Sequence, residues 1–391
     1  MITRRSPLAI IFGVVFIDLV GFGIVIPILP LYAERFGASP VVIGWLLGIY
    51  SAMQMLCAPL LGRLSDRIGR RPVLLVSVLG TAAGFFLMGT ANTLTLLFVA
   101  RVIDGATGGN LSTALAYIAD VTPPEERSKR MGLVGAAFGL GFIVGPALGG
   151  IFSHVAPQAP FFVAGALALL NAAALAAWLP ESLPPERRVR TFHVAGARSL
   201  DLAPPARRRL ACTLGAYFLT TVAFSLLTAT YPLFTNRRFG YGPSENGYLF
   251  ATQGFLAAIV QGGLLGWLIR HSSDKTMTVV GVVGLGVGLV ILPFNGTAAA
   301  LLATTAALAV SHGLVASTLN GLASRTVGAA VQGRVMGLMQ SAASLARIVG
   351  PVLGGWLLHH DAVTLAAHFG QTPYWAGAGL LLAALALALA L

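Results

Sequence analysis

Residues 62–72 read Gly62-Arg63-Leu64-Ser65-Asp66-Arg67-Ile68-Gly69-Arg70-Arg71-Pro72 and stand between two long apolar runs. Four arginines and an aspartate in so short a stretch predict a brief, solvated, strongly charged turn. Gly62 and Gly69 permit a tight backbone there, and Pro72 suits the first turn of a following helix. Few soluble proteins place such a turn between two segments of membrane length.

Outward from the turn, apolar runs recur along the whole chain. The sequence is 56% hydrophobic and 10% charged, with a mean hydropathy of +0.83. A soluble domain carries roughly 25% charged residues, so the excess apolar surface must face lipid. A spanning helix needs about 20 apolar residues. Twelve such runs lie near 7–32, 42–62, 73–91, 94–119, 130–152, 160–180, 209–234, 247–269, 276–295, 297–322, 333–359 and 372–391. They are too long for barrel strands, and lipid offers the backbone no partner, so every run is expected to be helical. The first run follows Arg4-Arg5 but is too long for a signal peptide and has no small-residue cleavage site, so it reads as a retained helix.

The net charge of +12 would point to nucleic acid in a soluble chain. Its placement argues for topology instead. Arg4, Arg5, the arginines of 63–71, Arg127, Lys129, Arg130, the arginines between 187 and 209, Arg270, Lys275, Arg325 and Arg334 fall on one side. Arg35, Arg237 and Arg238 fall on the other, while Arg101 and Arg347 lie inside runs. The positive-inside rule then puts both termini in the cytoplasm of a multi-pass inner (plasma) membrane protein. Cys57 and Cys212 fall in or beside runs and imply neither a disulfide framework nor a metal site.

Hydrophobicity breaks once, over 181–208, where Pro184-Pro185, Pro204-Pro205 and scattered arginines read as a cytoplasmic linker. It separates an N-terminal six-helix bundle, 1–180, from a C-terminal one, 209–391. The halves repeat, and between the fifth and eleventh runs the spacing is a constant 205 residues. Met131-Gly132-Leu133 recurs as Met336-Gly337-Leu338, Gly145-Pro146 as Gly350-Pro351, and Gly149-Gly150 as Gly354-Gly355. The expected fold is all-α and integral to the membrane, with twelve helices in two pseudo-symmetric bundles.

The stretch 62–72 resembles the G-x-x-x-D-R-x-G-R-R signature of the major facilitator superfamily, through Gly62, Asp66, Arg67, Gly69, Arg70 and Arg71. Its place between the second and third runs matches that family. Gly141-Phe142-Ile143-Val144-Gly145-Pro146-Ala147-Leu148-Gly149-Gly150 resembles the antiporter motif of the drug:proton antiporter branch. Glycines at this spacing flatten one helix face for a close neighbour, and Pro146 frees a carbonyl and bends the helix. Tyr50 to Gln54, Arg70 to Leu75, Arg101 to Gly108, Tyr117 to Asp120 and Ala159 to Phe162 are similar to the tetracycline/proton antiporters, densely in the first half and thinly in the second. One departure stands out. That branch carries an aspartate in the ninth span, whereas Val279 to Leu292 holds no acid and Asp274 lies in the loop before it.

Asp18 and Asp104 are the acids well inside runs among the thirteen. A carboxylate at mid-membrane costs about 2.5–3.5 kcal/mol even on the insertion scale. Taking up a proton removes that cost, which is the chemistry of a proton carrier. Asp18 matches the first-span acid of the tetracycline branch, and Arg101 the fourth-span arginine of the R-x-x-x-G motif, which the resemblance ties to proton transfer. Asp104 stands where that branch has a small residue. It follows Arg101 by three positions on one helix face, so the two can pair, as a proton relay or as a structural ion pair. Three roles are open to Arg347: facing Asp18 or Asp104, binding an anionic group, or capping a neighbouring helix.

The resemblance further implies that Asp66 docks on the N-terminus of the eleventh helix when the cytoplasmic side is shut. Arg67 or Arg70 would pair with Asp120. Candidate substrate contacts are Gln54, Asn110, Phe224, Tyr231, Gln253, Gln261, Asn320, Gln340 and Arg347, although residues of these kinds inside spans more often make helix–helix hydrogen bonds than ligand contacts. No P-loop, metal cluster or nucleophile–base set is evident, so no enzyme activity, cofactor or metal is expected and energy would come from a proton gradient. The expectation is a monomeric proton-coupled exporter of hydrophobic small molecules by alternating access, with protons and the lipid bilayer as its other partners and no nucleic acid. The rival readings are an exporter or symporter of sugars or other polar metabolites, and a non-transporting receptor or scaffold.

Overall fold

The computed structural model describes residues 7–123, 126–188, 203–261, 271–327, 329–364 and 368–391. Most of the expected linker, 189–202, and the end of the expected eighth span, from 262, lie outside the described residues. The described regular structure is helical throughout. In chain order the helices are α1 (Pro7–Glu34), α2 (Pro40–Ile68), α3 (Arg70–Gly89), α4 (Leu94–Thr107), α5 (Asn110–Val121), α6 (Arg127–Ser153) and α7 (Ala159–Trp178). They continue with α8 (Pro204–Phe239), α9 (Pro243–Ile259), α10 (Asp274–Ile291), α11 (Ala298–Arg325), α12 (Ala329–Thr364) and α13 (Gln371–Leu389).

Ten helices among the described residues are long and apolar enough to cross a membrane. The eighth run is represented by α9, and the fourth by two shorter helices, α4 and α5. The fold is therefore the all-helical twelve-span arrangement, with a correction at the fourth span. Large apolar side chains such as Leu56, Leu60, Leu170 and Leu382 are exposed, as lipid-facing surface requires.

The charged turn expected over 62–72 shrinks to a single residue. Helix α2 runs on to Ile68 and α3 begins at Arg70, leaving Gly69 between them at φ 110, a conformation that excludes a Cβ at little cost only for glycine. Beyond the hydrocarbon, charged side chains are solvated on a helix as well as on a loop, and the helix satisfies its own backbone. Asp274, expected in a loop, is likewise the first residue of α10 and pairs with Arg325 at the end of α11 at 2.5 Å.

Contacts divide the chain into two compact units: Met1–Gly37, Ile49–Val194 and Gly242–Ala251 in one, Ala38–Gly48, Ala195–Tyr241 and Thr252–Leu391 in the other. In the first, α1 packs along α6 and α7, and α3 along α4 and α7. In the second, α12 and α13 pack along α8, and α10 along α11 and α13. The repeated glycines explain the closest of these approaches. A methyl group on Gly145 would lie 2.5 Å from the Val20 carbonyl oxygen on α1 and against Gly23. At the same spacing of 205 residues, one on Gly350 would lie 2.7 Å from the Val222 carbonyl on α8. Small residues let backbones meet where hydrophobicity supplies no drive between helices.

Gly145→Leu should therefore separate α1 from α6. The expected loss is about 1–3 kcal/mol of stability from overpacking, read as a lowered thermal midpoint in detergent. Gly135→Leu, on the same helix where a methyl meets nothing within 4 Å, should leave the midpoint unchanged.

Candidate functional site

The break in the fourth span organises the polar interior of the first unit. Gly108 and Gly109 stand together, each about 1 kcal/mol worse than alanine in a helix. They adopt φ −69, ψ 25 and φ −82, ψ 9, which ends α4 and restarts the chain as α5. Non-helical backbone at membrane depth survives only when protein satisfies it. Here Gln54 of α2 donates its Nε2 to the Gly108 carbonyl at 2.8 Å. Ser112 Oγ donates to the Gly109 carbonyl at 2.9 Å, and Thr107 Oγ1 to the Ile103 carbonyl at 2.8 Å.

The break places Asn110 as the first residue of α5, with its side chain 1% exposed. Its Nδ2 donates to Asp18 Oδ1 at 2.7 Å. On the other half of the span, Arg101 and Asp104 are 2% and 4% exposed and pair at 2.9 Å. Thr81 of α3 also hydrogen-bonds Asp104, and the Arg101 guanidinium lies over the Tyr50 ring, 4.3 Å from its centroid. Phe22, one turn beyond Asp18, has its ring centroid 5.5 Å from that of Tyr50 and 5.9 Å from that of Phe142.

The charge count follows. Asp104 is neutralised by Arg101, Asp18 has an amide partner, and no cation among the described residues pairs with Asp18. The two carboxyls lie within electrostatic reach of each other. With both ionised, the cluster carries one uncompensated negative charge in an apolar unit. A proton on Asp18 removes it.

At the charged end of the same unit, Arg70 rather than Arg67 reaches Asp120, through Nε at 3.0 Å. Its NH1 bonds Asp66 Oδ1 at 2.6 Å and donates to Ser65 Oγ at 2.6 Å. Arg71 donates to the Ala176 carbonyl. Glu181 closes the arrangement by accepting the backbone N–H groups of Arg70 at 2.8 Å and Arg71 at 3.2 Å, so a carboxylate caps the positive end of α3. Ser182 Oγ donates to Asp120 as well, at 3.1 Å.

The remaining substrate candidates are scattered. In the second unit, Phe224 stacks on His312 at 3.5 Å between centroids, and Tyr231 shares a hydrogen bond with Thr305. Asn320 donates to the Ala316 carbonyl of its own helix, and Arg347 to Ser344 Oγ at 3.2 Å. Gln253 is buried, whereas Gln261 and Gln340 are exposed. Within the first unit, Gln54 and Asn110 are brought together with Asp18, Arg101 and Asp104; the other candidates belong to the second unit.

Sequence reasoning missed Glu181, Thr81, His312 and Asp361. His312, midway along α11, was open to the same reading that singled out Asp18, an ionisable group inside an apolar run. Asp361 caps α13 by accepting from Gly370 at 3.0 Å and Thr372 at 3.1 Å, and became visible only when α12 proved longer than its apolar core. Glu181 and Thr81 carry no local signal, because their partners are distant in sequence.

The Arg101–Asp104 contact predicts non-additivity. Removing one partner strands the other charge and should cost about 3–5 kcal/mol. Arg101→Leu with Asp104→Leu should be less damaging to thermal stability than either single change. Simple addition of the two losses would show that the pair is not coupled.

The family model of the Major Facilitator Superfamily matches residues 11–351 and again 213–391. Tetracycline resistance protein class E of Escherichia coli is 33% identical over 352 residues, covering 88% of this chain and 86% of that one. Multidrug resistance protein 2 of Bacillus subtilis (strain 168) is 28% identical, with 90% and 89% covered. The crystal structure of the human organic anion transporter TETRAN shares the fold at a TM-score of 0.71 and 24% identity, covering 99% of this chain and all of that one. With its helical spans, glycine-packed repeats and charged connection at Gly69, the chain belongs to the Major Facilitator Superfamily and is a multi-pass membrane transporter, not an enzyme.

Proposed function

We propose that this transporter is a proton-coupled antiporter that exports hydrophobic small molecules from the cytoplasm across the inner membrane. It works as a monomer with both termini cytoplasmic, without cofactor or metal. The observation that carries the reading is the unbalanced charge of Asp18 beside a neutralised Arg101–Asp104 pair. A site that is neutral with a proton and charged without one has different free energies in differently hydrated states. Differential proton affinity between states is what a proton gradient needs to drive a conformational cycle. One charge moved through 100 mV is worth about 2.3 kcal/mol.

The relatives support the direction and the cargo. Proteins named for tetracycline and multidrug resistance align over most of their length. The apolar spans of this chain, with the aromatic rings of Phe22, Tyr50 and Phe142 beside the acids, favour a hydrophobic cargo over a sugar. The ninth span, without an acid, separates this chain from the tetracycline pattern, so the cargo is proposed as a class and not as tetracycline.

Asp18→Asn keeps the shape of the side chain and cannot cycle a proton. In everted vesicles loaded with a panel of hydrophobic dyes and antibiotics, the wild type should show transport that a protonophore abolishes. The Asn variant should lose this active component while binding remains measurable. Active transport at wild-type rate in Asp18→Asn would remove Asp18 from coupling, and wild-type transport that ignores the protonophore would remove the proton.

A further inference from the structure

Asn110 was read in the sequence as a substrate contact, and its geometry points elsewhere. Its Nδ2 donates to Asp18 Oδ1 at 2.7 Å, yet its Oδ1 is buried and has no hydrogen-bond donor among the described residues. A buried acceptor left unmet is uncommon and calls for an explanation. The residue is 1% exposed and fixed as the first residue of α5 by the break that Gln54 holds, so it cannot turn to solvent.

A carboxylic acid and a primary amide can join by two parallel hydrogen bonds. The amide N–H donates to the acid carbonyl, and the acid O–H donates to the amide carbonyl. One of these bonds is present here, and the same two side chains carry the oxygens for the other, Asp18 Oδ2 and Asn110 Oδ1. We infer that Asn110 is the positioning residue of the transported proton: when Asp18 takes up a proton on Oδ2, the O–H donates to Asn110 Oδ1 and closes a two-bond ring. The proton comes from water and returns to it, and only the Asp18 O–H bond forms and breaks. The ionised form keeps one bond and leaves Oδ1 facing a carboxylate. The ring exists in the protonated form alone, so Asn110 distinguishes the two states of Asp18.

The surroundings leave few other groups for this task. From α4, Asp104 and Arg101 face the site and pair with each other. Helix α3 beyond Arg71, α6 beyond Arg130 and all of α7 contain no ionisable side chain. On α5, Tyr117 donates to the Pro180 carbonyl and Asp120 binds Arg70, both towards the charged end. On α1, Tyr32 and Glu34 lie at the opposite end of the helix. Tyr50 from α2 lies against Arg101.

The inference rests on Asp18 as the coupling acid, and its test needs no substrate. Infrared difference spectra of the purified protein in lipid, titrated with acid, report the Asp18 carboxyl band and the side-chain carbonyl of isotopically labelled asparagine. In the wild type, acidification should lower the frequency of one asparagine carbonyl, and that change should vanish in Asp18→Asn and in Asn110→Leu. In Asn110→Leu the ionised form loses one charge-assisted bond and the acid form two neutral ones, so the pH midpoint of the Asp18 band should move by less than about one unit. It should rise in Asn110→Asp, where two carboxyls share a proton. A merely structural Asn110 would weaken folding without an acid-linked change in its own side-chain carbonyl. If no asparagine band responds to acid, or if the responding band survives in Asn110→Leu, the inference is overturned. Should Asn110→Leu not fold, the asparagine band in wild type against Asp18→Asn still decides. Failure of the coupling reading looks different: Asp18→Asn would retain active transport whatever the spectra show.

Discussion

Hydrocarbon leaves every backbone amide to find its partner within the chain, and the exchange of Gln54 with the Gly108 carbonyl is where this protein meets that constraint outside a helix. Helical spans satisfy the rule automatically. The fourth does not, because two adjacent glycines end it in mid-course. The amide of Gln54 and the hydroxyls of Ser112 and Thr107 take up backbone carbonyls around the break. What the break delivers is placement: Asn110 at the start of a half-helix against Asp18, and Arg101 with Asp104 on the half before it.

The second unit shows that glycine alone does not do this. Counted from their threonine N-caps, Thr93 and Thr297, Gly313 takes the place of Gly109, yet α11 runs unbroken through it. His312 stands in place of Gly108 and Leu314 in place of Asn110. Without a second glycine, the helix keeps its own hydrogen bonds. Two repeats with the same glycine-packed spans thus differ in their interiors, one polar and acidic, the other carrying the Phe224–His312 stack and the Tyr231–Thr305 hydrogen bond.

Much of this was legible in the sequence, for physical reasons. Span positions follow from hydropathy because lipid imposes helix on any long apolar run. The glycine repeat at 145 and 350 is legible because close approach admits no larger residue. Asp18 and the Arg101–Asp104 spacing stand out because charge at membrane depth is expensive. The break at Gly108 was hidden, since an average over apolar residues is the same for one helix or two. Residues 62–68 looked like a loop because polarity marks the end of the membrane, which is not the end of the helix. Glu181 could not be read as the cap of α3, because nothing local links it to Arg70, more than a hundred positions earlier.

The central claim is that one carboxyl, Asp18, exchanges a proton against cargo, while the charge of Asp104 is balanced by Arg101. Proton release on cargo binding measures this most directly. Purified protein in weakly buffered detergent solution, mixed with a hydrophobic compound shown to be transported, should release protons detectable with a pH indicator. The account predicts that release disappears in Asp18→Asn and persists in the doubly neutral Arg101→Leu with Asp104→Leu variant. Release that persists in Asp18→Asn and disappears in the double variant would contradict it and move the proton to Asp104.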